Sequence, residues 1–398
     1  MTQPSPRRGI DRKVVLSIWV PAACMALGGG LILPVLPLFA LSFDASYSMV
    51  GLVLAARGLG NLAFDVPAGM AVRRLGVRRS MIVGGTIMVL CALAMTQVRT
   101  LTEALVVQLL LGLTMALWNI ARHTYITETV EIERRGRTNA VMGGIGRISG
   151  FGGPVIGGAM AEWVSLTAPF AVQAGLIALG VLAAILWVDR DVSRQERLAR
   201  PHAGVWQVLA GHWRVLVSAG SGQMCAQTVR AARNAVVPLF AAEVLGLDAG
   251  SVGLIISLSY ATDMLMFYPA GQLMDRRGRK WAYVPSFIIQ SLAMALVPLT
   301  NSFWTLALVT MAIGLGNGLG SGTMLTLGAD LAPERGRGEF LGMWRFIGDG
   351  GSAAGPMIVG QVAQVAGLHL APVVIAGIGL MGAALLGGLV PETLRRDR

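Results

Sequence analysis

A chain of 398 residues that is 54% hydrophobic and 13% charged, with 52 glycines and a mean hydropathy of +0.65, has lipid as its main solvent. Its net charge of +11 does not point to nucleic acid, because the basic residues form short clusters between apolar runs and are not interleaved with aromatics on one domain. Cys24, Cys91 and Cys225 all lie inside apolar runs, so no disulfide framework or metal cluster is implied.

A helix that crosses a bilayer takes about 20 apolar residues, and Gly, Pro and charge clusters cut this chain into segments of that length. Spans are predicted over 14–40, 48–71, 80–98, 103–127, 138–161 and 166–188, then over 214–241, 250–274, 281–299, 303–328, 340–366 and 368–390. Pro21-Ala22-Ala23-Cys24 has the form of a lipoprotein cleavage site, but the apolar run continues to Phe39, too long for a signal core, and is read as the first helix. The only substantial polar stretch, Asp189 to His202, falls at the midpoint. The expected organisation is an all-α membrane protein: twelve transmembrane helices in two pseudo-symmetric six-helix bundles, 1–188 and 206–398, joined by a linker at 189–205.

The halves repeat one another about 202 residues apart. Pro37-Leu38-Phe39-Ala40 returns as Pro238-Leu239-Phe240-Ala241, and Pro67-Ala68-Gly69 as Pro269-Ala270-Gly271. In an apolar chain such a repeat is the usual way to build a solute pathway between two bundles. Basic clusters occur at every second boundary, whereas the alternate boundaries hold one of the 32 Lys and Arg residues, Arg99. The positive-inside rule therefore predicts that both termini and the linker are cytoplasmic. A multi-pass protein of the cytoplasmic membrane of a bacterium is expected.

Gly271-Gln272-Leu273-Met274-Asp275-Arg276-Arg277-Gly278-Arg279-Lys280 matches the loop signature G-x-L-x-D-R-x-G-R-K and follows the eighth segment. With Gly152-Gly153-Pro154-Val155-Ile156-Gly157-Gly158, Gly355-Pro356, the Gly28 to Pro37 run, Pro333-Glu334-Arg335-Gly336-Arg337 and Pro391-Glu392-Thr393, it makes the chain resemble the major facilitator superfamily over essentially its whole length. The glycine-proline pattern of the fifth segment is similar to that of the twelve-helix drug:proton antiporters. The resemblance implies a secondary transporter without cofactor, driven by a proton gradient, with a small-molecule substrate and functional as a monomer in the lipid bilayer. It also implies loop-to-helix pairs, Arg74 with Glu128 and Arg276 with Asp330, that stabilise one state. Two departures stand out. Arg73 replaces the family's usual aspartate, leaving Asp275 to serve the other half, and Gln108 stands where these antiporters commonly carry an arginine.

Ionisable groups at bilayer depth are costly and point to function. At about 1.5 Å of rise per residue, Asp65 and Arg345 lie roughly 8 Å from the expected cytoplasmic ends of their helices, Asn61 and Asp349 roughly 14 Å, and Arg147 and Asp263 roughly 14 to 16 Å. In the family fold the second helix packs near the eleventh and the fifth near the eighth. Asp65 with Arg345, Asn61 with Asp349, and Arg147 with Asp263 are therefore expected gate pairs, with Asp263, Asp65 and Asp349 as proton-coupling candidates. The seventh segment spaces Gln223, Gln227, Arg230 and Asn234 along one face, which together with Arg57, Asn61 and Asn119 is the expected cavity wall. Arg230 is open to two readings, contact with a substrate or, like Arg233, neutralisation of Asp263.

No nucleotide-binding loop, nucleophile elbow, metal-ligand cluster or dinucleotide signature of useful strength is present, so an enzyme is not expected and ATP is not the direct energy source. The leading reading is proton-coupled export of small amphipathic or organic molecules by alternating access. An importer or facilitator of an organic anion is the alternative, suggested by the excess of intramembrane arginine. A membrane sensor that transports nothing is the third.

Overall fold

The structure, a computed structural model, describes residues 12–189 and 205–394. Twelve helical spans follow one another: α1 (Arg12–Leu41), α2 (Tyr47–Leu75), α3 (Val77–Met95), α4 (Leu101–Thr129), α5 (Ile132–Trp163), α6 (Ala168–Trp187), α7 (Val205–Glu243), α8 (Ala249–Arg277), α9 (Lys280–Leu299), α10 (Phe303–Leu331), α11 (Arg337–Ala366) and α12 (Leu370–Leu389). Apart from its two ends, the predicted linker lies outside the described residues. An even number of spans leaves both chain ends on one side, called here the terminus side.

Local chemistry ends the helices differently on the two sides. On the far side side-chain oxygens cap helix starts: Ser46 accepts from the Met49 N–H, Thr100 from Glu103, Asp248 from Ser251 and Ser302 from Thr305. On the terminus side Gly76 (φ 87°) and Gly278 (φ 114°) close α2 and α8 in a left-handed conformation that favours glycine. The two glycines are 202 residues apart, so the repeat extends to backbone geometry.

Nine spans are long and apolar enough to cross a membrane by composition alone. The other three, α5, α7 and α11, carry Arg147, Arg230 with Arg233, and Arg345 with Asp349. Their lower hydropathy reflects a position facing protein and water rather than lipid. The expectation of one unbroken tenth helix is corrected. It runs over Phe303–Leu319, breaks, and resumes over Thr323–Leu331, because Gly314, Gly316, Gly318, Gly320 and Gly322 weaken it and Gly322 adopts φ 76°.

Within the first half α2 packs on α4, α1 on α5 and α6, and α3 on α4 and α6; the second half repeats the scheme with α8 on α10, α7 on α11 and α12, and α9 on α10 and α12. Across the halves α2 meets α11 and α5 meets α8. A Cβ on Gly51 would stand 2.6 Å from the Pro356 carbonyl oxygen and 2.8 Å from the Gly360 Cα. One on Gly253 would stand 2.3 Å from the Pro154 carbonyl oxygen and 3.1 Å from the Gly158 Cα. Gly51 and Gly253, Pro154 and Pro356, and Gly158 and Gly360 are equivalent under the repeat, so one backbone crossing is built twice about the pseudo-two-fold axis.

Both crossings lie toward the far side. There a single apolar core joins the halves, with Phe39, Val50 and Val53 against Phe240, Val252 and Val359. On the terminus side the cores are separate: Ala68, Val72, Trp118 and Tyr125 belong to the first half, and Tyr283, Phe287, Leu327 and Trp344 to the second. Gly69, Gly144, Gly271 and Gly342, on the terminus-side portions of the four interface helices, have nothing within 4 Å of an added Cβ. The halves are sealed on the far side and parted on the terminus side.

Candidate functional site

Just inside the far-side seal, α1, α2, α7 and α11 enclose a cavity of about 160 Å³. Ile32, Leu36 and Leu54 make its walls apolar, and Arg57, Asn234 and Ser352 supply polar groups from both halves. Arg57 Nε and Nη2 are shielded from solvent and have no hydrogen-bond partner. Of the polar face predicted for α7, only Asn234 lines this cavity. Gln223 and Gln227 pack on Gly348 of α11 instead, and Arg230 turns to α10, where it donates to the Gly320 carbonyl at 3.0 Å. Asn119 lies on α4 outside the residues lining the cavity.

Toward the terminus side a second group bridges the halves. Asn61 Nδ2 donates to Asp349 Oδ2 at 3.5 Å, and Arg345 Nε lies 3.5 Å from the same oxygen. Asp65, one turn from Asn61 on α2, is in the field of both Arg345 and Asp349; its Oδ1 is buried without a hydrogen bond, and Arg345 pairs with Asp349 of its own helix and not with Asp65. Arg122 and His123 of α4 also feel Arg345. Two carboxylates and a guanidinium from opposite halves thus meet at the floor of the opening. They do so with the terminus side parted, so this contact alone does not close it.

The equivalent level of α5 and α8 is built differently. The expected Arg147 to Asp263 pair is not made. Arg147 stacks on the Phe267 ring at 4.0 Å and donates to Ser321 Oγ, which the α10 break exposes, while Asp263 Oδ2 accepts from Asn317 Nδ2 at 2.6 Å. Asp263 is buried, its Oδ1 unbonded, with Arg230 in its field. Arg233 covers the Tyr260 ring at 4.9 Å. Asn317, Ser321 and Ser352 were not anticipated. The alternating glycines from 314 to 322 were the signal for the first two, since a span interrupted by glycine leaves backbone and short polar groups free to line a pathway.

Residues 18–221 and 219–398 each match the profile of the Major Facilitator Superfamily. The chain belongs to the major facilitator superfamily. It is 23% identical over 363 residues to an uncharacterized MFS-type transporter of Methanocaldococcus jannaschii, covering 89% of this chain and 92% of that one. It is 31% identical over 118 residues to a class E tetracycline resistance protein of Escherichia coli, 29% of either chain. A POT family transporter crystallised with a thioalcohol-conjugated peptide superposes with a TM-score of 0.80 at 10% identity over 98% of both chains, which shows a shared fold. The protein is an integral, multi-pass secondary transporter, and its family is not one of enzymes.

The superfamily loop after α8 is held from the chain's other end. Glu392 accepts from the Arg279 N–H at 2.9 Å and the Lys280 N–H at 3.0 Å, capping the start of α9. Burial pushes the Glu392 carboxyl up, but the N–H groups of Leu394, Arg279, Lys280 and Thr393 outweigh it and hold the group below its ordinary range. Asp330 pairs with Arg279 at 3.0 Å and accepts from Thr393 at 2.8 Å, so Arg279 takes the place expected of Arg276, one turn away.

Proposed function

We propose that this superfamily member is a proton-coupled secondary transporter that exports small amphipathic or organic molecules by alternating access. In this reading its two six-helix bundles, 1–188 and 206–398, rock about the paired glycine crossings. Both termini and the 189–205 linker face the cytoplasm, and the protein works as a monomer in the cytoplasmic membrane of a bacterium. The observation that carries the reading is the contact of Asn61 with Asp349 across the halves, with Asp65 in the field of Arg345 and Asp349. Protonation of a carboxylate there weakens its hold on Arg345 and biases the two halves, which is the minimum a proton-driven cycle requires. The partial similarity to a tetracycline resistance protein agrees with export.

The test is a charge swap. Asp65→Asn and Arg345→Gln each remove one charge of the group that links the halves at the floor of the opening, and should let the terminus side part further. A Phe346→Cys reporter beside the cluster should then label at least about fivefold faster from the terminus side, the lower end of what a coupling of 1–3 kcal/mol produces. Asp65→Arg combined with Arg345→Asp should recover part of the original rate. Unchanged labelling in both single variants removes the gating role.

A further inference from the structure

We propose that the cavity between α1, α2, α7 and α11 is a binding site for a small organic monoanion, a carboxylate or sulfonate on an apolar body about the size of one ring, with Arg57 as the anion's partner. The inference rests on the transport reading and names the substrate class of its pathway.

The cavity is dry-walled and small. Its roughly 160 Å³ compares with the roughly 150 Å³ apolar cavity that holds a benzene-sized guest. Ile32, Leu36 and Leu54 suit such a body, and Asn234 and Ser352 in the same lining offer hydrogen bonds to a second oxygen of the anion. Sitting between both halves and behind the far-side seal, a bound solute touches two helices of each half.

The fold leaves two of the three guanidinium nitrogens of Arg57 unpartnered. These, Nε and Nη2, are buried without a hydrogen bond, and no carboxylate contributes to the electrostatic surroundings of Arg57. The nearest acids by position are engaged elsewhere: Asp349 is held by Asn61 and Arg345, and Asp65 lies two turns further along α2, about 12 Å away by helical rise. Packing does not demand an arginine here either. Under the repeat the same position on α8 is Ser259, which simply donates to the Thr310 carbonyl at 2.8 Å, while the backbones at both positions make the same close approach to a glycine, Gly112 or Gly314. An unpaired guanidinium removed from water is costly, and a bound anion supplies the missing partner with two parallel N–H···O bonds. The charge is specific to one half, as expected of a substrate contact and not of a structural one.

Benzenesulfonate, permanently anionic, and benzenesulfonamide, its neutral near-isostere, separate charge from shape. Binding to the purified full-length protein is followed by calorimetry and by melting temperature. Wild type is expected to bind benzenesulfonate roughly tenfold or more tightly than the sulfonamide, the size of a charge-assisted hydrogen bond. Arg57→Gln should abolish that preference while the sulfonamide still binds, and Arg57→Lys, a point charge without the planar fork, should keep part of it. Asn234→Leu, which leaves the guanidinium in place, should weaken benzenesulfonate more than the sulfonamide, because the charged oxygen is the stronger acceptor, and serves if Arg57→Gln does not fold. Equal binding of the two probes, binding of neither, or undiminished preference in the Arg57 and Asn234 variants overturns the proposal. Benzenesulfonate that binds but is not carried across proteoliposome membranes leaves the anion site standing and removes the transport reading. Carriage of a neutral solute without any anion preference does the reverse.

Discussion

Gly51→Ala and Gly253→Ala are each expected to break the far-side seal, and to do so alike, because the two residues occupy the same crossing in opposite halves. A new methyl at Gly51 falls 2.6 Å from the Pro356 oxygen and one at Gly253 falls 2.3 Å from the Pro154 oxygen, in both cases against backbone that cannot rotate away. Overpacking of this kind costs about 1–3 kcal/mol. Borne by the terminus-open state alone, that energy shifts a two-state population about 5–150-fold toward the opposite opening. A Ser352→Cys reporter in the cavity should then label from the far side at least fivefold faster than in the wild-type background. Gly152→Ala, with nothing within 4 Å of its added methyl, is the control and should leave the rate unchanged. Equal labelling in all three variants would mean that the crossings do not seal the pathway.

Asp263→Asn should abolish gradient-driven transport while leaving solute exchange measurable. Asp263 is the acid in the field of Arg230, bonded only by Asn317. The amide keeps the shape and removes the charge, so no proton is gained or lost there, and the unpaired arginine lowers stability by about 1–3 kcal/mol. Arg230→Gln added to Asp263→Asn should restore the melting temperature without restoring coupling, because the guanidinium left without a counter-charge in its field is then removed as well. Undiminished pH-coupled transport in Asp263→Asn rejects the assignment. Recovery of coupling in the double variant rejects it as well.

Much of this architecture was legible in the sequence for physical reasons. Span length is set by bilayer thickness, the repeat exposes the two halves, and Gly76 and Gly278 punctuate the turns that follow the arginine clusters. Span ends were less legible. α5 begins at Ile132, well before its apolar run, because a helix continues through polar sequence once it leaves lipid, whereas the helical turns at 205–211 are set off from the rest of α7 by a kink at His212 (φ −126°). The α2 to α11 group was anticipated from depth alone, since Asn61 and Asp349 lie at matching distances along helices that cross. The α5 to α8 group was not. Depth matched Arg147 to Asp263 equally well, but the break in α10 inserts Ser321 and Asn317 as competing partners. Side-chain direction also decided α7. Spacing puts Gln223, Gln227, Arg230 and Asn234 on one stripe, but α11 and α10 divide that stripe, and only Asn234 is left lining the cavity.

The most direct measurement of proton-coupled transport is the discharge of an imposed pH gradient in proteoliposomes that hold a pH-sensitive dye, challenged in turn with benzenesulfonate, benzenesulfonamide and tetracycline. At least one of these solutes should collapse the gradient with wild-type protein, and none should do so with Asp263→Asn or in protein-free liposomes. A solute that binds the purified protein and crosses the membrane without moving protons, or that moves them equally in Asp263→Asn, would contradict a proton-driven cycle through the carboxylates of this interface.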